Sequence, residues 1–254
     1  MTDYPKANVL VNHVEPCPRR IRAYVGPTAV FDTTRALYVW EWPAFPQYYI
    51  PRDDLTEGVL VDEEETFETG QGVLRRYGLQ VGSTIRQGAA RVVIEPAIDE
   101  LHGMVRFEWR SMDAWFEEDE RVHVHPRNPY ARVDCIHSTR SVRVELDGVV
   151  LAETSSPVML FETSLPTRYY INRTDVRLEH LQPSDTVTSC PYKGTTSAYW
   201  SARVGEKVVK DIAWAYDFPT REVFPIAGMV AFYNEKVDII VGGTRLERPV
   251  TTFS

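Results

Sequence analysis

The chain repeats itself, and this repeat limits its possible folds more than any other feature of the sequence. When the 254-residue sequence is shifted by 121 positions, the pattern YYIxRxD at residues 48–54 falls on the same pattern at residues 169–175. A shift of 125 positions brings GMVxF at residues 103–107 onto residues 228–232. Two patterns in the same order indicate a tandem duplication. We therefore predict an N-terminal copy with a connector at residues 1–138 and a C-terminal copy at residues 139–254.

Short apolar runs separated by turn residues predict the fold class. Residues 142–146 alternate apolar and polar side chains, and an Asp-Gly turn then precedes a second apolar run, which is the pattern of a β-hairpin. Similar runs predict further strands, including a second hairpin at residues 229–241 around a turn at 234–236. No long amphipathic helix is evident. Each copy is thus predicted to be a mainly β, compact curled-sheet domain, barrel-like or tent-like, with short helical turns.

A set of polar and reactive residues occurs in the second copy alone. It comprises the segment SCPYKG at residues 189–194, the pair Tyr199-Trp200, and the pattern WxY at residues 214–216. The aligned part of the first copy, which begins FETGQG at residues 67–72, has no cysteine, no PYKG and no tryptophan pair. The first copy is therefore interpreted as degenerate and the second as complete. The alternative is drift without functional consequence.

Taken together, the motifs of the second copy resemble the bacterial family known as domain of unknown function 427. The matching segments are ETxLPxRYYI at residues 162–171, DV at 175–176, SCPYKG at 189–194, WxY at 214–216, Pro219, and GMVAFYxEKVD at 228–238. The resemblance covers about residues 140–243, and it implies a compact, mainly β domain without a settled activity. A nucleotidyltransferase label has been attached to the family, but this sequence has neither Gly-Ser followed by paired aspartates nor a Walker loop.

The segment at residues 190–194 supplies candidate catalytic residues. Its proline and glycine predict a loop of defined shape. Lys193 is a candidate anion anchor, general acid or base, or Schiff-base amine. Tyr192 is a candidate proton donor, and Cys190 is a candidate nucleophile if Lys193 lowers the pKa of its thiol. The alternative is a structural turn with a solvated lysine and a buried cysteine.

Glu162 and Arg168 are further candidates in the second copy. Glu162 ends an apolar strand, so it is predicted either to act as a general base or to pair with a scaffold arginine such as Arg143. Arg168 has a guanidinium suited to carboxylate or phosphate, and we assign it to ligand binding together with Tyr169. Adjacent tyrosines on a strand point to opposite faces, so only one of Tyr169 and Tyr170 can line a given pocket.

The pattern YYIxRxD occurs in both copies, which favours a structural role for Tyr170, Arg173 and Asp175. Arg173 and Asp175 belong to the repeated pattern, and the plain interpretation is an ion pair between them. The aromatic residues Trp214, Tyr216 and Tyr199 are interpreted as walls of a ligand pocket, with ordinary core packing as the alternative.

Four residues are candidate metal ligands. His123 and His125 lie two positions apart, and Cys135 and His137 repeat that spacing, which would suit a zinc site. The resemblance implies no metal, so we predict no metal and no cofactor.

Charge and hydropathy restrict the class of partner. The formal net charge is −8, which disfavours nucleic acid, and there is no run of 18 apolar residues to span a membrane. The segment at residues 1–6 lacks an apolar signal core, and three cysteines form no CxxC motif, so a cytoplasmic location is expected. No particular oligomeric state is predicted.

These observations favour a small polar or anionic ligand in the second copy. The specific hypothesis is a cofactor-independent acid–base enzyme of the lyase, isomerase or hydrolase type. The alternative is a non-enzymatic scaffold or partner-binding module.

Overall fold

A computed structural model describes residues 9–251, 253 and 254. The described chain is mainly β, and its helices are 3-10 helices of 3 to 6 residues, which confirms the predicted fold class. None of the described helices is long and apolar enough to cross a membrane. The chain divides into two compact units, whose described parts are residues 9–129 and residues 130–251, 253 and 254.

The N-terminal unit consists of two sheets. Its strands are β1 (Val14–Pro16), β2 (Ile21–Val25), β3 (Thr28–Thr33), β4 (Leu37–Val39), β5 (Gln47–Pro51), β6 (Leu60–Thr69), β7 (Gly72–Val81), β8 (Thr84–Pro96), β9 (Met104–Phe107), β10 (Ala114–Glu117) and β11 (Glu120–Val122). Short 3-10 helices lie at Arg52–Asp54, Asp99–Leu101 and Trp109–Ser111. One sheet has the order β1-β4-β5-β9-β8-β7-β6, and the other has the order β11-β10-β2-β3.

The C-terminal unit repeats this arrangement. Its strands are β12 (Val133–His137), β13 (Val142–Leu146), β14 (Val149–Thr154), β15 (Val158–Glu162), β16 (Arg168–Tyr170), β17 (Leu181–Ser184), β18 (Ser189–Cys190), β19 (Gly194–Thr195), β20 (Ala198–Val204), β21 (Lys207–Ala215), β22 (Val230–Phe232), β23 (Asp238–Val241) and β24 (Thr244–Arg245). Its 3-10 helices are Arg173–Asp175, Leu178–His180 and Arg221–Ile226. The small hairpin β18–β19, which carries the CPYKG segment, forms a separate two-stranded sheet, whereas the aligned residues of the first unit lie at the end of the β6–β7 hairpin.

The strand orders show that the two units have the same topology. The order β24-β23-β13-β14 in the second unit matches β11-β10-β2-β3 in the first. In the second unit, a bridge between Ile171 and Val230 joins the sheet β12-β15-β16 to the sheet β22-β21-β20-β17. The equivalent residues of the first unit, Ile50 and Val105, pair within its seven-stranded sheet. Every sheet stays open in the described part of the chain, so the predicted curled sheet does not close into a barrel.

The predicted Asp-Gly hairpin is present, and its backbone explains the sequence. Asp147 and Gly148 have φ of 50° and 82°, which are the left-handed conformations that a tight two-residue hairpin turn requires. A register irregularity lies between Val144 and Glu145 of β13, and the same irregularity occurs between Ala23 and Tyr24 of β2. The duplication therefore extends to the backbone bulge.

The second predicted hairpin, at residues 229–241, is wrong. Strands β22 and β23 both form, but β22 pairs with β21 while β23 pairs with β13 and β24. Residues 234–236 thus carry the chain from one sheet to the other. The pattern of apolar residues predicts strands but does not specify their partners.

Each large sheet buries side chains on both faces, and the repeated tyrosine pair shows this directly. Tyr169 packs in the core that contains Val144 and Ile171, whereas Tyr170 packs on the opposite face with Leu160 and Trp214. This alternation follows from the twofold period of a strand. The face that carries Tyr170 is the one on which the candidate residues collect.

Candidate functional site

The hairpin β18–β19 places Lys193 over the second face of the sheet. Gly194 has φ of +91°, a conformation that side chains other than glycine rarely adopt. Thr220 ties the hairpin down, because its amide donates to the Lys193 carbonyl at 3.1 Å and its hydroxyl donates to the Tyr192 carbonyl at 2.5 Å. These two hydrogen bonds hold the loop in place, and the Lys193 side chain is buried between the loop and the sheet.

Lys193 forms a buried ion pair with Glu162. The Lys193 ammonium donates a short hydrogen bond to the Glu162 carboxylate, and the two side chains are only 11% and 7% exposed. The predicted alternative pairing of Glu162 with Arg143 is wrong, because Arg143 contacts Glu145 at 2.8 Å. Glu162 lies on the same face of β15 as Leu160, so its side chain points to the face of the sheet that carries Tyr170.

The partners of Lys193 hold its amine protonated. Burial opposes the charge on the amine, but the Glu162 carboxylate is the largest of the electrostatic causes that outweigh burial and raise the pKa of Lys193 above its ordinary value. Lys193 in this arrangement is a cation, as an anion anchor requires, and the neutral amine of a Schiff-base nucleophile is disfavoured.

Two half-buried cysteines lie near this pair. The thiols of Cys190 and Cys135 are both free, and each interacts electrostatically with Lys193. Burial raises the pKa of Cys135 to about 11, although Lys193 acts in the opposite direction, so its thiol is protonated at neutral pH. Cys135 was considered only as a metal ligand from sequence, because the pairing of β12 with β15 that brings it here is long-range.

Among the described residues, no group of three or more histidine, cysteine and acidic side chains is arranged to hold a metal. His125 stacks on Phe45 with ring centroids 3.6 Å apart.

The predicted aromatic residues lie beside the ion pair. Trp214, Tyr216 and Tyr199 are all buried in one apolar cluster with Tyr170. The Trp214 indole donates to the Tyr170 hydroxyl at 3.2 Å, and the Tyr199 and Tyr233 hydroxyls are 2.9 Å apart. Tyr169, assigned to ligand binding from sequence, is not in this set, because its side chain points to the other face of β16. We refer to Glu162, Tyr170, Cys190, Lys193 and Tyr216 as the Lys193 cluster.

Arg168 lies at one side of the aromatic residues and is fully occupied. Its guanidinium donates to the Glu235 carboxylate at 2.7 and 2.8 Å, and to the Asn234 amide oxygen at 3.2 Å. It also lies 5.7 Å from the Trp214 ring centroid. Arg168 therefore holds a carboxylate of its own chain, and its guanidinium also lies against the rings of Trp214 and Tyr233.

Glu235 and Asn234 were missed by the sequence reasoning. They were interpreted as the turn of a hairpin, whereas they are buried partners of Arg168. The sequence does distinguish these two residues. Residues 233–235 read YNE, whereas the equivalent residues 108–110 of the first copy read EWR, so Asn234 and Glu235 occur in the second copy alone. The predicted pair of Arg173 with Asp175 is likewise wrong, because Arg173 donates to Asp217 at 2.6 Å.

The same face of the first unit carries an ionic network instead. Glu41, the equivalent of Glu162, lies 3.3 Å from Arg106 of β9 and accepts the Tyr49 hydroxyl at 3.0 Å. The strand registers place Arg91 where the second unit has Trp214, because Arg91 pairs with Arg106 as Trp214 pairs with Ala231. The two units thus share a scaffold and differ in the chemistry of one face.

The fold and the site define a tandem pair of mainly β domains, of which one carries a buried lysine–glutamate pair. The chain belongs to the family described as domain of unknown function DUF427, whose model matches residues 13–118 and 134–243. The two matched segments confirm the duplication and the family predicted from sequence. No curated protein matches the chain.

Proposed function

We propose that the C-terminal copy binds a small polar or anionic molecule at the Lys193 cluster. The observation that carries this proposal is the buried Lys193–Glu162 pair, which occupies the face where the sister copy has an arginine–glutamate network. A buried ion pair contributes little net stability compared with apolar packing, so its presence favours a role other than stability.

In its more specific form, the proposal is a cofactor-independent acid–base enzyme of the lyase, isomerase or hydrolase type. An incoming anion would share the Lys193 ammonium with Glu162. The Glu162 carboxylate would then be the proton acceptor, and the Tyr192 hydroxyl, next to Lys193 in the loop, would be a donor. Cys190 stays a candidate nucleophile. The free thiols of the chain suit the cytoplasmic location predicted from sequence.

The test is a titration of the whole chain with sodium acetate, sodium benzoate and sodium phosphate. Binding is monitored through tryptophan fluorescence and through the change in melting temperature. We expect at least one anion to bind the wild-type protein. The double variant Lys193→Met/Glu162→Gln should lose this binding, because the cation is gone while neither partner is left as an unpaired buried charge. A Lys193→Met single variant is unsuitable, since an unpaired Glu162 would cost about 3–5 kcal/mol of stability.

The matched control neutralises the equivalent pair of the first copy. The variant Arg106→Met/Glu41→Gln changes the same face of the duplicated scaffold and should retain anion binding. Equal binding by the wild type and by the Lys193→Met/Glu162→Gln variant would contradict the proposal, as would the absence of binding by all three anions.

A scaffold role is the second candidate, and one observation favours it. Lys193 and Arg168 are each already paired with a carboxylate of the same chain. This candidate predicts that the Lys193→Met/Glu162→Gln variant changes only the melting temperature and that no titrated anion shifts the wild-type protein.

A further inference from the structure

The same tyrosine and the same glutamate occur at equivalent positions of both copies, but their hydrogen bonds differ. In the first copy the Tyr49 hydroxyl donates to Glu41 at 3.0 Å. In the second copy Glu162 instead receives the Lys193 ammonium. In the second copy the equivalent carboxylate is thus bonded to a lysine, and no hydrogen bond joins it to Tyr170.

The hydroxyl of Tyr170 is consequently left with a proton to donate. Its oxygen accepts the Trp214 indole N–H at 3.2 Å, and no residue in the described part of the chain accepts its O–H. The side chain is 0% exposed, so bulk water does not surround this hydroxyl. Buried hydroxyl groups ordinarily find partners, and an unmatched donor beside a cation indicates that the partner is a ligand.

Tyr216 supplies a second hydroxyl of this kind. It is 4% exposed and packs in the same apolar cluster as Tyr170. Its hydroxyl makes no hydrogen bond within the described residues and is not completely buried, and it interacts electrostatically with Tyr170 and Cys190. The buried Tyr170 hydroxyl therefore lies near Lys193, and the Tyr216 hydroxyl lies near that of Tyr170.

Both phenols keep their protons at neutral pH. Burial is the largest cause, and it raises the pKa of Tyr170 and of Tyr216 above the ordinary value of 10.0. They therefore act as neutral donors, which suits an acceptor oxygen that carries negative charge.

We propose that Tyr170 and Tyr216 are ligand-binding residues that donate hydrogen bonds to one oxyanion, the carboxylate or enolate oxygen of a small ligand held beside Lys193. This inference rests on the proposed function and names its ligand class. The cluster contains one lysine cation and one glutamate, so a singly charged anion leaves less uncompensated buried charge than a phosphate dianion does. Acetate and benzoate should therefore bind more tightly than inorganic phosphate.

The experiment compares Tyr170→Phe, Tyr216→Phe and Tyr49→Phe in the full chain. Each change removes one hydroxyl oxygen, and Tyr49→Phe is the matched control in the first copy. We expect the dissociation constant for acetate and benzoate to rise about tenfold in the first two variants and to stay unchanged in the third. Acetamide, a neutral analogue of acetate, gives a second readout, because loss of the phenol should reduce the preference for acetate over acetamide.

The outcomes separate this inference from the function on which it rests. Suppose that the wild type binds acetate or benzoate and that the Lys193→Met/Glu162→Gln variant does not. If Tyr170→Phe and Tyr216→Phe then bind as tightly as the wild type, the inference about the tyrosines is overturned while the proposed function stands. Tyrosine variants with lower melting temperatures but an unchanged acetate-to-acetamide ratio would also overturn it. Absence of anion binding by the wild type would overturn both.

Discussion

At the scale of single residues, the second unit contains buried charged side chains that form ion pairs with other buried side chains. Glu235 is the clearest case, because its side chain is 0% exposed and accepts both Arg168 and the Thr251 hydroxyl, the latter at 2.6 Å. Burial opposes its charge, but these hydrogen bonds outweigh burial and hold the pKa of Glu235 below its ordinary value. Removal of Glu235 or of Arg168 leaves the other as a buried charge without compensation.

Glu235→Gln should therefore destabilise the second unit by about 3 kcal/mol at pH 7, because Arg168 loses its counter-charge. The folded-state pKa of Glu235 is lowered, so its contribution to stability is present above the ordinary pKa of 4.5 and is lost as the pH falls through the folded value. The difference in stability between wild type and variant should thus shrink as the pH falls below the ordinary pKa of 4.5. Urea unfolding of the wild type and of Glu235→Gln at several pH values measures this difference in the free energy of unfolding.

The control for this prediction is a surface pair. Asp147 contacts Lys207 at 2.7 Å, and both side chains are about half exposed. Asp147→Asn should change stability by less than about 1 kcal/mol. A Glu235→Gln variant that behaves like Asp147→Asn would show that the buried pair contributes nothing.

At the scale of elements, the hairpin β18–β19 carries Lys193 to the site; the aligned residues of the first unit form the end of the β6–β7 hairpin. Strand pairing in it is limited to Ser189–Thr195 and Cys190–Gly194, so tertiary contacts must hold it in place. Thr220, at the start of the 3-10 helix Arg221–Ile226, provides them through its amide and its hydroxyl.

Thr220→Val should loosen this hairpin without unfolding the domain. The change keeps the shape of the side chain and removes one hydrogen bond to the Tyr192 carbonyl, a loss of about 1 kcal/mol. Hydrogen exchange of the amide at position 220, which donates to Lys193, should become about fivefold faster. Thr244→Val, at an exposed threonine of β24, is the control, and equal exchange rates in the two variants would count against a tethering role.

At the scale of the whole molecule, the two units share an order of strands and differ in one face of one sheet. The predicted division after residue 138 and the division of the structure at residue 130 differ in where they place β12. This strand pairs with β15 from Val133–Glu162 to His137–Val158, so it belongs to the sheet of the second unit.

A fragment of residues 130–254 should consequently be more stable than one of residues 139–254. Removal of β12 unpairs β15 and uncovers the apolar face around Leu160. We expect the melting temperature to drop by at least about 10 °C, since 1 kcal/mol corresponds to about 4 °C in a domain between about 100 and 150 residues long. A fragment that begins at residue 132 keeps β12 and serves as the control; identical melting of all three fragments would exclude a structural role for β12.

Local sequence signals were sufficient for the class of fold and for most strands. Alternation at residues 142–146 with its Asp-Gly turn predicted β13 and β14, and the repeat predicted the duplication. The same signals failed at residues 229–241, where two strands adjacent in sequence join different sheets. Periodicity reports which residues of a strand are buried, but partner choice depends on packing between distant segments.

The sequence by itself determined the duplication, the mainly β class, and the fact that the second copy alone carries a distinctive polar set. Only the tertiary structure decided the pairings within that set: Lys193 with Glu162, Arg168 with Glu235, and Tyr170 with Trp214. Each of these contacts joins residues more than 30 positions apart. Composition cannot choose among the available partners of a charge, because the choice is made by the shape of the sheet that brings the side chains together and excludes water from them.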